Sequence, residues 1–129
     1  MNMQGSSLPA KVRNYFKEKY RGKVLPVGES GQAYIRREGE NEYTNPAKKL
    51  SEQEYRAKMN AASDFHELLE SSTFEGHAAD DGRHPDATRG WNNYRTYFVV
   101  PTETGELAAY QGTVRIKLID RGDCFYDIT

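Results

Sequence analysis

The chain has 129 residues, 36 % of them hydrophobic, with nine Tyr and five Phe, which suits one domain around a small, aromatic-rich core. A lone cysteine, Cys124, excludes an internal disulfide framework and cannot hold a metal by itself. No apolar run approaches the roughly 18 residues of a membrane span, and the net charge of −1 hides a basic segment at 11–23 and an acidic one at 38–81.

Residues 1–6 are expected to be disordered, with a single domain over 7–129. From there Leu8, Val12, Tyr15, Phe16 and Tyr20 recur at helical spacing, with Ser7 as N-cap, Pro9 in the first turn and Gly22 as terminator. Residues 23–27 read as a short extended segment, placed at an edge or a strand end because Pro26 lacks an amide donor. A glycine turn at 28–31 leads to a second strand over 32–37, with either Ala33 and Ile35 or Tyr34 facing inward. Residues 38–46 read as turn chemistry.

The next helix is marked by a capping box, Ser51-Glu52-Gln53-Glu54, in which the first and last side chains satisfy each other's free backbone N–H groups. Leu50 and Tyr55 are spaced as a hydrophobic staple. A stripe of Tyr55, Met59, Ala62, His66 and Leu69, widened by Phe65 and Leu68, predicts one helix from about Glu52 to Ser71 packed on a sheet. On that stripe His66 reads as a core histidine, and Lys58 as a stem that packs while its ammonium reaches water.

Residues 72–92 show no periodicity and read as a long loop. Residues 94–101 then alternate, with Tyr94, Thr96, Phe98 and Val100 on one face and Arg95, Tyr97 and Val99 on the other. A turn at 102–106 containing Gly105 leads to a second alternating run over 107–120. There Val114, Ile116 and Leu118 face inward, opposite Arg115 and Lys117, and Gly112 marks a bulge. After a turn at 121–123, residues 124–128 close a three-strand antiparallel meander, with Phe125 and Tyr126 on opposite faces. The predicted class is α+β: two helices on one face of a twisted antiparallel sheet of about four to five strands.

Two chemistries suit the residues near the loop. His77, Asp80, Asp81, His84 and Asp86 offer metal ligands, but their spacing fits no regular ligand grid, so neither metal nor cofactor is expected. Metal-independent cleavage of RNA needs a base, an acid and cations on the phosphate. Histidine transfers protons near neutral pH and arginine grips phosphate oxygens in pairs. His77 or His84, with Arg83, Arg89, Arg95, Arg115 and Lys117, supply such a set, and Tyr97 and Tyr126 are suited to base stacking. For Trp91 the simpler reading is an anchor that holds the loop on the core, with a stacking platform as the sharper one. Cys124 reads as a small buried residue.

The segments Tyr34-Ile35-Arg36-Arg37 with Asn41-Glu42-Tyr43, the helix end Leu68-Leu69-Glu70, residues 94–99, the run from Tyr110 to Lys117, and Phe125-Tyr126-Asp127 together resemble a known family. It is the third family of large polyvalent protein-associated domains, found in phages and conjugative elements and related to the barnase–EndoU–RelE ribonuclease fold. The resemblance implies an RNA-directed module of a mobile element, either a ribonuclease or an inactive relative. It implies His84, Glu42, Arg115 and Tyr126 as catalytic positions and Lys117 as an RNA contact, to which residue type adds Arg89, Arg95, Trp91 and Tyr97 as RNA contacts. The rival expectations are a protein-interaction module, working through the acidic helix or an exposed strand edge, and a small-molecule binder with an enclosed pocket. A cytoplasmic location without membrane contact is expected in each case.

Overall fold

The computed structural model describes residues 8–46, 50–102 and 104–129; the expected disorder of residues 1–6 and the Ser7 cap lie outside them. Within them the order is α1 (Leu8–Lys19), β1 (Val24–Val27), β2 (Gly31–Tyr34), α2 (Arg37–Tyr43), α3 (Glu52–Asn60), a 3-10 turn (Ala61–Asp64), α4 (Phe65–Glu70), β3 (Thr73–Ala78), β4 (Trp91–Pro101), β5 (Leu107–Ile119) and β6 (Gly122–Ile128). The strands form one sheet in the order β1-β2-β6-β5-β4-β3. All neighbours are antiparallel except β2 and β6, which pair in parallel through Tyr34 and Cys124. The class is α+β as expected, but the sheet is mixed and has six strands.

The carboxy-terminal meander follows the alternation read from the sequence. Tyr94, Thr96, Val100, Val114, Ile116 and Leu118 are buried, while Arg95, Tyr97 and Val99 are exposed. The N-terminal hairpin joins its free side, with Pro26 on the outermost strand and Ala33 and Ile35 turned inward. Val12 and Phe16 of α1, Tyr43, Met59, Phe65 and Leu69 pack with Ile116 and Phe125 into the main core on one sheet face. Phe16, Tyr43, Phe65 and Phe125 are its centre, with Phe65 4.6 Å from Phe16 and 4.8 Å from Phe125 between ring centroids.

Residues 37–43, expected as a turn, form α2. Gly39 and Asn41 are weak helix formers, but the helix docks so closely on β6 that a Cβ at Gly39 would stand 2.5 Å from the Phe125 carbonyl oxygen. Buried Glu40 is gripped by Arg21 through both carboxylate oxygens. The basic and acidic segments therefore complement each other in part within the fold.

The capping box is present: Glu54 N–H donates to Ser51 Oγ at 3.1 Å, and Ser51 N–H to Glu54 Oε1 at 3.0 Å. The predicted single helix is instead broken by the 3-10 turn. Its tighter winding advances the side-chain phase. Phe65, Leu68 and Leu69 keep the core, while His66 rotates outward to an ion-pair distance of 3.4 Å from Glu70, its side chain 48 % exposed. Lys58 reverses its expectation too. Its ammonium is buried, 2.7 Å from Asp127 Oδ1.

A bulge does occur in the meander, but in β6 rather than at Gly112. Val114 faces Ile128 and Ile116 faces Phe125, so three residues of β6 span two of β5. The extra residue lets Phe125 and Ile128 share the main core while Tyr126 points to the other face. Gly112 is instead a close contact, since a Cβ there would meet Ile128 Cγ2 at 2.7 Å.

Candidate nucleic-acid interface

The sheet face away from the helices carries the odd-numbered residues of β4 and β5. Their register places Trp91 beside Lys117, Asn93 beside Arg115, Arg95 beside Thr113, and Tyr97 beside Gln111. Within the expected long loop, Thr73–Ala78 form β3, a polar edge strand on Trp91–Arg95. The remaining segment, 79–90, folds back over one end of this face.

Asp80 organises that return. Its Oδ2 accepts the backbone N–H groups of Gly82 (2.8 Å) and His84 (3.0 Å), and its Oδ1 accepts the indole N–H of Trp91 (2.9 Å). The Trp91 contact first, then the two amides, hold the Asp80 carboxyl below the usual aspartate range. Gly90 must be glycine: its φ is +87°, and a Cβ would stand 2.4 Å from the Ala78 carbonyl oxygen. Arg89 closes the far end, donating to the Ile119 carbonyl and to Asp123, each at 2.8 Å.

Beneath this cover Ala87, Trp91 and Tyr126 form a second, small core. The rings of His84, Trp91 and Tyr126 meet edge to face, with centroids 5.0–5.1 Å apart. Arg115 lays its guanidinium on Trp91, 4.2 Å from the ring centre, and lies 5.6 Å from that of Tyr126. Lys117 Nζ stands 5.3 Å from the Tyr126 centroid. Cations over ring faces are attracted by the negative π-surface, so both side chains are held by the rings, and Lys117 by carboxylates as well.

Lys117 is buried, its side chain 1 % exposed. Its ammonium lies 2.9 Å from both oxygens of Glu38 and 3.1 Å from both oxygens of Asp86. Arg36 donates to Glu38 at 2.8 Å, while its own Nε is buried without a partner. Further along the face, Arg95 pairs with Glu75 and reaches the Tyr97 hydroxyl at 3.4 Å. Tyr97 is 61 % exposed, and the Asn93 carbonyl oxygen Oδ1 is buried without a hydrogen-bond partner among the described residues.

Of the residues singled out from the sequence, His84, Trp91, Arg115, Lys117 and Tyr126 come together in one cluster. Arg95 and Tyr97 continue the same face at a distance, and Arg89 is committed to the β5–β6 turn. The carboxylate beside the cluster is Glu38; half-buried Glu42 lies one helical turn further along α2. Trp91 and Tyr126 are 3 % and 7 % exposed, so burial gives their faces to neighbouring side chains rather than to a base. Sequence reasoning missed Glu38 and treated Asp86 only as a metal ligand. No local signal could have found this pairing, since these carboxylates lie 79 and 31 positions from Lys117. Among the described residues no three His, Cys, Asp or Glu side chains are grouped as a metal ion would need, and no helix is long and apolar enough to cross a membrane. Cys124 is buried, and burial raises its thiol pKa. No family model, curated protein or solved structure matches this chain.

Proposed function

We propose that this is an RNA-directed domain that holds a single strand along half-buried Arg115 and exposed Arg95 and Tyr97, the class of function implied by its resemblance to mobile-element modules of the ribonuclease fold. The observation that carries this is the juxtaposition on one sheet face of two arginines and an exposed tyrosine. The Trp91 ring pre-positions the Arg115 guanidinium, leaving its edge to fork onto phosphate oxygens. Tyr97 offers a ring face for a base.

The ammonium of Lys117 is saturated by two carboxylates, which gives it the role of fixing Glu38 and Asp86 rather than of meeting a phosphate. Binding is therefore the core of the proposal. Cleavage, where it accompanies binding, depends on His84, whose ring nitrogens make no hydrogen bond among the described residues and whose imidazole sits beside the Arg115–Trp91 pair.

The test is titration of an unstructured oligoribonucleotide at several salt concentrations, with product analysis in EDTA. Two phosphate contacts predict a log–log salt slope near −1.4, from about −0.7 per contact on a single strand. Loss of one stacking platform in Tyr97→Ala predicts weakening by about 1–3 kcal/mol, and any cleavage disappears in His84→Ala. Affinity unchanged in both Tyr97→Ala and Arg115→Gln, or no binding at low salt, refutes the proposal.

A further inference from the structure

A groove follows a stretch of β4 edge that, among the described residues, has no strand beside it. β3 pairs only with Trp91–Arg95, because the chain enters β3 from α4 and the residues before Thr73 belong to that helix and its end. β4 runs on to Pro101, and among the described residues no strand flanks its outer side beyond Arg95. Two adjoining grooves occupy that vacated lane. One, of about 360 Å³, lies between residues 97–101 and the 3-10 turn with α4, and is lined by Asp64 and Glu67. The other, of about 700 Å³, continues past Pro101 against Glu52 and Asn60 of α3. Together they follow about six residues of β4, roughly 20 Å at 3.4 Å per residue.

We infer that this lane is a docking site for an extended peptide that adds to the sheet beside β4 and carries basic side chains at alternate positions. The backbone edge gives register-independent hydrogen bonding. The two walls differ in chemistry, and side chains of an added strand alternate between them. On the helix side stand Asp64 and Glu67, which make no ion pair among the described residues. On the other side stand Tyr97 and Val99, 61 % and 55 % exposed, which suit β-branched or aromatic cross-strand partners. The carboxylate rim disfavours nucleic acid. It also disfavours a second copy of β4, whose own residues at the equivalent phase, Phe98 and Val100, bring no cation. This inference shares exposed Tyr97 with the RNA-binding proposal but rests on the β4 edge and its carboxylates, whereas that proposal rests on the arginines.

The probe is a labelled peptide, acetyl-Ser-Lys-Val-Lys-Val-Lys-Ser-amide, titrated into the full chain by anisotropy and by amide chemical shifts. Shifts are expected along residues 96–102 and the facing turn of 61–67. Asp64→Asn with Glu67→Gln is expected to weaken binding about tenfold, the sum of two exposed charge contacts, with the unfolding midpoint unchanged. A peptide with Glu in place of Lys is expected not to bind. Methylation of alternate backbone nitrogens, which leaves the charges in place, is expected to abolish binding. Equal binding of the methylated peptide, shifts centred elsewhere, or no binding at millimolar peptide overturns the inference. So does a concentration-dependent dimer that perturbs the same amides, which would make a second copy the occupant.

Discussion

Replacing Lys58 by Met is expected to cost about 3–5 kcal/mol, the penalty of leaving a buried charge without its partner. Lys58 Nζ lies 2.7 Å from Asp127 Oδ1, with side-chain exposures of 6 % and 0 %. At an effective dielectric constant of about 20 the gross attraction is about 6 kcal/mol, most of it offset by desolvation of both ions. In Lys58→Met that offset persists for Asp127 while the attraction is gone. Adding Asp127→Asn removes the stranded charge and keeps an acceptor for the Ile128 N–H, which Asp127 Oδ1 accepts at 2.8 Å. The double variant is therefore expected within about 2 kcal/mol of wild type. Lys117→Met is the control: its partners Glu38 and Asp86 have side chains 37 % and 52 % exposed, so water takes over their solvation and the cost is expected to be smaller. Urea unfolding followed by circular dichroism measures wild type, the two Lys→Met variants, Asp127→Asn and the double variant. A cost below about 1 kcal/mol for Lys58→Met, additive single and double variants, or an equal cost for Lys117→Met would refute the reasoning.

Gly39→Ala is expected to destabilise by about 1–3 kcal/mol, despite the better helix propensity of Ala, because the new methyl collides with the Phe125 backbone; an unchanged or raised urea midpoint would contradict that contact. The lowered Asp80 pKa means that its stabilising contribution is complete above the unfolded value and is lost as pH falls through the folded one. Fluorescence of Trp91, the only tryptophan, is therefore expected to change as pH drops below the ordinary aspartate range, and the step is expected to vanish in Asp80→Asn. Cys124, buried with its thiol pKa raised, is expected to resist iodoacetamide in the native protein and to react promptly in denaturant. Native-state labelling as fast as that of a free thiol would show that the strand is open.

Local signals were legible, and long-range ones were not. The capping box at Ser51 and Glu54 rests on contacts three residues apart, and the meander rests on a period of two, so both can be read from the chain. β3 escaped notice because its residues are nearly all exposed and show no apolar alternation. α2 escaped because Gly39 and Asn41 argue against a helix, and because buried Glu40 looks like a solvated acid until Arg21 is folded onto it. His66 escaped because a uniform helical period was assumed through the 3-10 turn, and Lys58 because its buried partner Asp127 lies 69 positions away. In the site, the rings and cations were visible as residue types on the correct face of the sheet. That the 79–90 segment would bury Trp91 and Tyr126, and that Glu38 and Asp86 would neutralise Lys117, depends on tertiary pairings that no spacing rule encodes.

The parallel pairing of Tyr34 with Cys124 has a kinetic consequence. These partners stand ninety positions apart, so the amino-terminal hairpin cannot complete its place in the sheet until β6 has been synthesised and has paired with β5. Closing so long a span is entropically costly and slow. On the ribosome α1 and the first hairpin must wait with Leu25, Val27 and Ile35 uncovered, an interval in which a holdase chaperone would find its grip.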